Sequence, residues 1–435
     1  MLTASVAASP GLPCARSGGM AQRTGLRGYL ALLLFFAPIA SFVVVPQVPG
    51  TTPGNLLVLL GLFPLGGILL FGRSDYLRLL EHYLPLLVVL GILFFASRYS
   101  WLTAPRGLSN LSFTSPGFIL PLTMTVHVTQ TIYLLVAVGM MLVVSRYYEA
   151  SLDRYIFAGA WFLVGYGLVD WFCQSFLHIN ADLLSNRTFA YSWNEWSGSL
   201  RQMVSVGGLW LMRFKSLTGE SSMYALTALC FLPLAVHRQR WWLGAALLAS
   251  LLLTFSTTAY AGMAVMALIV LRRLSFLPVV FLLLAVLAAV AIAVWIDWAA
   301  IWNVVDELFI AKLTGEAHSG SARLNAFMRH FLAWRDSGPA PFLVGYGFGT
   351  ARSTDLISTL LINVGLVGTA LALGWIVRVI GRGVQAGQTV LALGLACVVV
   401  LMLLAVPEFS YLPPWMLAGV LIAESRPKDG VACAG

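Results

Sequence analysis

Charged side chains are scarce in this sequence, since only 10% of its 435 residues are Asp, Glu, Lys or Arg. Soluble domains contain about 25% charged residues, so the composition argues against a protein with one globular core. Hydrophobic residues make up 59% of the chain, and its mean hydropathy is +0.87. These values predict a polytopic membrane protein that lies in a lipid bilayer.

Cysteine is also rare, and no nucleotide-sugar or metal-binding motif is visible. The five cysteines lie in apolar stretches (Cys173, Cys230, Cys397) or in the tails (Cys14, Cys433), which predicts neither a disulfide framework nor a metal site. The net charge of +9, from 26 basic and 17 acidic residues, comes from basic residues spread through the loops. Nucleic-acid binders concentrate such residues in one stripe, so we expect no nucleic-acid partner, no cofactor and no metal.

Residues 1–27 lack the apolar core of a cleavable signal and are rich in Ala, Ser, Gly and Arg. We expect them to form a disordered cytoplasmic tail. Beyond them lie apolar stretches long enough, or nearly so, to cross a bilayer, which takes roughly 20 helical residues. There are twelve, at 28–45, 55–72, 83–101, 126–145, 155–177, 220–237, 241–255, 258–271, 276–298, 355–377, 388–405 and 410–424.

These stretches predict an all-α protein with about twelve transmembrane helices. Helices one to five occupy 28–177, six to nine 220–298, and ten to twelve 355–424, before a short cytoplasmic tail at 425–435. Short loops rich in Lys and Arg stay in the cytoplasm, and the positions of such loops put both termini there. Three longer segments, 102–125, 178–219 and 299–354, then lie on the outer side.

The stretch 241–271 is too long for one straight span and short for two. Its middle is polar, with Thr254 and Ser256 in the sequence TFSTT, which indicates a turn. Two arginines precede the stretch and two follow it: Arg238, Arg240, Arg272 and Arg273. Both ends are therefore predicted to be cytoplasmic, and we expect a hairpin of two short helices.

Three of the scarce charges lie together in RFKSLTGESSMYA, where an apolar helix is predicted to start near Glu220. Glu220 interacts favourably with the helix dipole, and Ser216 or Thr218 is a candidate cap. Arg213 and Lys215 oppose the dipole unless an anion lies between them and the helix. A helix N-terminus beside an arginine is a typical phosphate site, so this stretch is a candidate anion site.

Segment 299–354 contains a second group of charges and divides in two. An amphipathic helix is predicted over 321–334 from the spacing of Leu324, Phe327, Phe331 and Trp334. Arg323 lies on its polar side, after HSGS, a candidate cap. The sequence GYGFG that follows permits a close approach of backbone to ligand but is no dinucleotide fingerprint. Taken alone, the segment is explained by a capped interfacial helix and a flexible turn.

Asp170 is the main charge within a predicted span. An ionisable residue there is a functional candidate. It also lies near the outer end of its span beside Trp171, from where it can reach the interface. Both interpretations stay open.

Four stretches, in order, resemble motifs of the Wzy-type O-antigen and exopolysaccharide polymerases, a superfamily that includes the O-antigen ligases. RFKSLTGESSMYA resembles the family's Arg…Glu-Pro-Ser stretch, with Ser221 where Pro is common, and TFSTTAYAG resembles its Ser-rich turn. SGSARLNAFMRHFLAWRDSGPAPFLVGYGFG resembles its Ser-x-Arg…Trp…Gly-x-Gly segment. LISTLLINVGLVGTALAL resembles the helix that ends in Gly-x-x-Gly, here Gly365 and Gly368. The resemblance implies a GT-C-like set of transmembrane helices with helical periplasmic loops.

The resemblance also implies a metal-independent glycosyltransferase of the bacterial inner membrane, acting at the periplasmic face. The donor would be an oligosaccharide on undecaprenyl diphosphate, and the acceptor a hydroxyl of a second lipid-linked repeat unit or, in ligases, of the lipid A core. Arg213 and Arg323 match the family's arginines and would stabilise the diphosphate leaving group. Lys215 and Arg352 are weaker candidates for the same anion. A chain-length regulator and a flippase are the implied partners.

In the ligases a His-Asn pair precedes Gly-x-x-Gly, and the His is the base toward the acceptor. Thr354 and Asp355 stand at those positions here, which favours the polymerase. Asp355 is either the replacement base or an N-terminal helix residue, and Glu220 is the next candidate base. A lipid-linked sugar flippase is the alternative from another class. Transporter sites lie near the midplane in broken helices within repeats, whereas the charges here concentrate in outer segments.

Overall fold

The computed structural model describes residues 20–46, 48, 50–102, 111, 124–187, 202–206, 209–271 and 318–426. The predicted ninth span at 276–298 lies outside these residues. The same holds for 1–19 and 427–435 of the predicted tails, and for most of 102–125 and part of each other predicted outer segment.

The described chain is almost entirely helical. Its α-helices are α1 Met20–Phe36, α2 Pro53–Leu62, α3 Pro64–Phe71, α4 Arg73–Leu102, α5 Met124–Tyr147, α6 Asp153–Phe172, α7 Ser221–His237, α8 Trp241–Leu252, α9 Thr257–Leu271, α10 His318–Arg335, α11 Pro339–Val344, α12 Leu356–Gln385, α13 Thr389–Ala405 and α14 Leu412–Glu424. A π-helical turn, Cys173–Leu177, extends α6, and 3₁₀ turns occupy Ala150–Leu152 and Ser216–Thr218. Two short strands, β1 Met203–Val206 and β2 Leu209–Met212, form an antiparallel hairpin.

Among the described residues, four helical stretches are long and apolar enough to cross a membrane, or five if the bent pair α2 and α3 counts as one. The four are Arg73–Ser97, His127–Tyr147, Ala150–Leu177 and Leu356–Gln385. Six shorter apolar helices accompany them, within α1, α7, α8, α9, α13 and α14. The expectation of an all-α membrane protein is consistent with this finding, but the number of twelve spans is not confirmed.

The first predicted span is shorter than its apolar sequence and begins earlier. Residues 20–27, expected in a disordered tail, form the first turns of α1, and the helix ends at Phe36. Pro38 explains the end, because the residue before a proline avoids the helical conformation. Most of the apolar residues that follow are buried without being helical, for example Val43 at 1% exposure, whereas Val44 and Val45 are 52% and 42% exposed. Segment 37–45 therefore belongs to a packed loop.

Two other irregularities follow from local sequence. Pro64 begins α3 after an extended Phe63, and the axes of α2 and α3 differ by 84°, so the predicted span 55–72 is broken. The predicted break within 241–271 is confirmed, because α8 ends at Leu252 and α9 begins at Thr257.

Helix α12 was expected to end at the Gly-x-x-Gly motif. Instead it continues to Gln385 through a break at Gly365, where φ is +64°. The two carbonyls before the break, of Ile362 and Asn363, accept hydrogen bonds from the amides of Tyr346 and Gly347 at 2.9 Å. The glycine-rich turn thus supplies the donors that the broken helix lacks. The sequence suggests that this turn lets the backbone approach a ligand. In the structure the turn approaches the backbone of α12.

Helix α7 lies at the centre of the molecule. It is apolar all round, and Tyr224, Leu226, Ala228 and Phe231 are completely buried. Helices α6, α8, α9, α13 and α14 pack against it. A helix that is buried on every side is held by its neighbours, so its two ends are fixed positions on opposite faces of the fold.

Candidate anion-binding site

Three loop segments form a hydrogen-bonded layer at the N-terminal end of α7. The amides of Ala40 and Ser41 donate to the Leu217 carbonyl at 2.9 and 3.0 Å. The carbonyl of Ser41 accepts from the amides of Asn186 and Arg187 at 3.1 and 2.9 Å. Segments 37–45, 178–187 and 213–219 are thereby joined, although the sequence separates them widely. This layer positions the polar side chains of the site.

The β-hairpin ends where Arg213 begins. Met203 pairs with Met212, and the Arg213 amide donates to the Gln202 carbonyl at 2.8 Å. The next residue is also anchored, since the Phe214 amide donates to the Leu253 carbonyl at 2.9 Å. The backbone of Arg213 is therefore fixed between the hairpin and the α8–α9 turn.

The Arg213 side chain is half-buried and bonds uncharged oxygens. Its Nε donates to the Thr254 carbonyl at 3.0 Å, and its Nη1 donates to Oε1 of Gln202 at 2.8 Å. Within the described part of the chain no carboxylate forms an ion pair with Arg213. Its positive charge is held in place without being neutralised by a direct partner.

The two arginines that match the family motif lie within electrostatic range of each other. Burial lowers the pKa of the Arg213 guanidinium, and the positive charge of Arg323 lowers that pKa further. Arg323 lies on the exposed side of α10, and its carbonyl accepts a hydrogen bond from Thr354 Oγ1 at 3.3 Å. Two cations that repel each other gain free energy when an anion binds between them, so this pair is a candidate anion site.

Glu220 lies at the start of α7, as predicted, and is its N-cap residue with extended backbone. Neither predicted cap is present. The Ser216 hydroxyl donates to the Leu163 carbonyl at 2.6 Å, and the Thr218 hydroxyl donates to the Lys215 carbonyl at 2.6 Å. The negative charge of Glu220 acts on both Arg213 and Arg187, where it opposes the effect of burial on each pKa. Glu220 is thus close to two arginines.

Lys215 has a different position from the one predicted. Its side chain is 1% exposed, and its Nζ lies 2.5 Å from Oδ2 of Asp182, which is 3% exposed. Asp182 also accepts from the Tyr166 hydroxyl at 2.9 Å and from the Ser185 amide at 3.2 Å. Because this ammonium is buried and paired with a carboxylate, its contacts favour a structural ion pair. The role of Lys215 as a diphosphate ligand stays a prediction.

Arg352, the other weaker candidate, forms an ion pair with Glu408 and is 42% exposed. Arg187 lies nearby. Burial is the main cause that lowers the Arg187 pKa, and Arg352 lowers it too. The Arg187 guanidinium donates to the Ala40 carbonyl at 3.3 Å. Arg187 therefore lies within electrostatic range of both Glu220 and Arg352, and Arg352 itself is paired with Glu408.

Asp355 is predicted to be either a base or an N-terminal helix residue, and in the structure it is the N-cap of α12. Its Oδ1 accepts from the Ser358 amide at 2.7 Å, and its Oδ2 accepts from the hydroxyls of Ser358 and Ser353 at 2.7 and 2.9 Å. The residue is 3% exposed. These contacts favour the capping interpretation, and the role of Asp355 as a base stays a prediction.

The amphipathic helix predicted over 321–334 is present as α10, but it begins at His318. HSGS therefore forms its first turn and is not a cap. Of the predicted apolar stripe, Trp334 is buried whereas Leu324 is 60% exposed. Asp170, in α6, is 1% exposed and accepts from Gln174 Nε2 at 2.6 Å, so its carboxylate is buried within the protein.

Gln202 was missed by the sequence interpretation because the hairpin was not predicted. A signal for it exists in the sequence, where MVSV and LWLM are separated by Gly-Gly. Two apolar runs separated by two glycines are typical of a β-hairpin.

No protein-family model matches the chain, and no curated protein matches its sequence. Among the described residues, no group of three or more His, Cys, Asp or Glu is arranged to hold a metal ion. The fold and site therefore define a helical membrane protein with an arginine pair at the N-terminal end of its central helix.

Proposed function

We propose that the chain is a polysaccharide polymerase of the bacterial inner membrane. It transfers a glycan from undecaprenyl diphosphate to a hydroxyl of a second lipid-linked repeat unit at the periplasmic face. The observation that supports this best is the guanidinium of Arg213, which neutral oxygens hold near the N-terminal end of α7 within electrostatic range of Arg323. The resemblance of four ordered motifs to Wzy-type polymerases supports the same function.

The arginine pair fits the chemistry of the transfer. The acceptor oxygen bonds to the anomeric carbon of the donor while the bond from that carbon to the diphosphate breaks. Negative charge then develops on the diphosphate, and cations that are already in place lower the barrier by stabilising it. Arg213 suits this role because its guanidinium is planar, matches phosphate oxygens and is bound by neutral oxygens.

The proton of the acceptor hydroxyl must pass to a base, and a carboxylate within hydrogen-bond reach can take it. Glu220 is the better candidate, since it lies within electrostatic range of Arg213 and Arg187. Among the described residues, its carboxylate accepts one modest hydrogen bond, from the Ser222 hydroxyl at 3.3 Å. Asp355 already accepts three hydrogen bonds at the start of α12. We therefore assign Glu220 to the proton and Asp355 to the cap.

A flippase for lipid-linked sugars is the second candidate, and one observation favours it. Transporters bind substrates at broken helices, and this protein has two such breaks, the 84° bend between α2 and α3 and the break at Gly365. The break at Gly365, however, is filled by backbone hydrogen bonds from the glycine-rich turn, whereas Arg213 lies at a helix end.

The lipid-linked glycans of cells with and without the protein distinguish these functions. A ladder of polymer that collapses to single repeat units supports the polymerase. Intact polymer that is missing only from lipid A indicates an O-antigen ligase, and repeat units trapped on the cytoplasmic face indicate a flippase. Cysteine labelling at 185–187 and 323–350 should also occur from the periplasm; labelling only from the cytoplasm contradicts the proposed location.

A further inference from the structure

Gln202 and Arg213 face each other at the open end of the β-hairpin. The pairing of Met203 with Met212 makes them the next residues of the two strands, and a backbone hydrogen bond of 2.8 Å joins them. Their side chains also meet, with Arg213 Nη1 donating to Gln202 Oε1 at 2.8 Å. Directly opposed side chains on neighbouring strands restrict each other's conformation.

The contacts of Arg213 leave part of its guanidinium for a ligand. An arginine has five N–H groups. Two of them bond protein oxygens, one to the Thr254 carbonyl and one to the Gln202 amide oxygen. These two bonds fix the plane of the guanidinium, and the other three N–H groups have no hydrogen-bond acceptor among the described residues.

Gln202 also connects this arginine to the central helix. Its Oε1 accepts a second hydrogen bond, from the Ser221 hydroxyl at 3.2 Å. Ser221 is the first residue of α7, where the positive end of the helix dipole lies. The amide oxygen thus holds the guanidinium beside the helix N-terminus.

We infer that Gln202 is a positioning residue that orients Arg213 toward a phosphate group while leaving its charge uncompensated. A neutral amide oxygen accepts the hydrogen bond without neutralising the cation, whereas a carboxylate in the same place would form an ion pair and compete with the ligand. The inference rests on the proposed function, because it assigns the phosphate group to the diphosphate that Arg213 would bind.

The test measures binding of inorganic pyrophosphate to the purified full-length protein in detergent, together with its thermal unfolding. Gln202→Glu keeps the size and the acceptor, so the unfolding temperature should stay the same or rise, while the affinity for pyrophosphate falls at least tenfold. Gln202→Met keeps the size but removes the acceptor, and it should lower the affinity as well. If Gln202 had only a structural role, Gln202→Glu would bind pyrophosphate with the affinity of the wild-type protein.

Gln388 provides a matched control. Its Nε2 donates to the Glu424 carbonyl at 3.4 Å, near the far end of α7, whose 17 residues span about 25 Å. Gln388→Glu should therefore leave pyrophosphate affinity unchanged. If it lowers the affinity as much as Gln202→Glu does, the effect is one of general charge and the inference is overturned.

Arg213→Ala separates this inference from the proposed function. Weaker binding in Arg213→Ala with wild-type binding in Gln202→Glu or in Gln202→Met overturns the positioning role alone. If the wild-type protein does not bind pyrophosphate, or binds it equally well without Arg213, both the diphosphate site and the role of Gln202 are overturned. Weaker binding in all three variants, with normal binding in Gln388→Glu, supports the inference.

Discussion

An arginine lies at each end of α7, and the two arginines differ in the charge of their hydrogen-bond partners. At the C-terminal end, Arg238 forms ion pairs with Asp153, at 2.7 Å, and with Glu424. It also donates to the Tyr148 hydroxyl at 3.0 Å. At the N-terminal end, Arg213 bonds an amide oxygen and a carbonyl oxygen, and a second cation, Arg323, lies close enough to lower its pKa.

The difference separates structural cations from candidate ligand-binding ones. A buried cation with carboxylate partners stabilises the fold when all partners are present. A cation fixed by neutral oxygens keeps its charge for an anion. By this criterion Arg238 and Lys215 are structural, Arg213 is a candidate ligand-binding residue, and Arg352, paired with Glu408, is closer to the structural group.

The largest expected effect comes from removing the unpaired charges. Arg213→Ala and Arg323→Ala should each reduce glycan transfer by about 10²–10³, equivalent to roughly 2–4 kcal/mol of transition-state stabilisation. Lysine at either position should restore only part of the rate, because it keeps the charge but not the planar fork. The measurement is the polymer ladder, normalised to the amount of protein in the membrane.

Arg329 is the control for Arg323, because it lies on the same helix and is exposed. Arg329→Ala should keep the wild-type ladder. Wild-type transfer in both Arg213→Ala and Arg323→Ala would remove the basis for the site.

A loss of stability rather than of rate is expected at the buried pair. Lys215→Met removes the ammonium that neutralises the buried carboxylate of Asp182, which should cost about 3–5 kcal/mol. The double change of Lys215→Met with Asp182→Asn should recover most of that loss, because no charge remains unpaired. Thermal unfolding of the purified proteins measures both. A stable Lys215→Met variant that no longer binds pyrophosphate would show that Lys215 is a ligand after all.

A smaller loss of stability is expected at the other end of α7. The side chain of Arg238 is 23% exposed, so water compensates in part when the ion pairs are broken, and Arg238→Met should cost about 2 kcal/mol. Pyrophosphate affinity of the folded protein should not change. Reduced affinity in this variant, at normal stability, would contradict the contrast between the two ends.

The smallest expected effect is at Asp355. Asp355→Asn keeps a capping side chain and should retain transfer, whereas Asp355→Ala should lose about 1 kcal/mol of stability. Polymer ladder and protein level are measured together. Loss of transfer in both variants at normal protein level would restore Asp355 as the base and displace Glu220.

Much of the fold followed from local sequence. Hydrophobic runs predict most of the helices, and TFSTT predicts the break between α8 and α9. The spacing of apolar residues over 321–334 predicts α10. The packed loop at 37–45 was missed because apolar content outweighed Pro38, which ends the helix. The motif predicts a helix end at Gly365 and Gly368, and local sequence does not show that the helix continues beyond a break at Gly365.

Less of the site was predictable, because its key distinction is one of partners. Arg213 and Lys215 are two residues apart and look alike as a pair of cations. Only the fold brings Asp182 to one and Gln202 to the other, from segments 33 and 11 residues away. The pairing of Lys215 with Asp182 depends on how separate loops pack, which sequence spacing cannot give. The pairing of Arg213 with Gln202 follows from the hairpin register once the hairpin is recognised.

The glycine-rich turn packs its backbone at Gly345 directly against the backbone of α12 around Gly365. This close packing limits which substitutions the two glycines tolerate. A Cβ on Gly345 would lie 2.4 Å from the Asn363 carbonyl carbon, and one on Gly365 would lie 2.4 Å from the Leu343 carbonyl carbon. Both obstacles are main-chain atoms, so no rotamer change in a neighbour relieves them, and both glycines have positive φ. In a library of single substitutions, these two positions should accept glycine alone. The exposed Leu343 and Leu366 beside them should accept many residues.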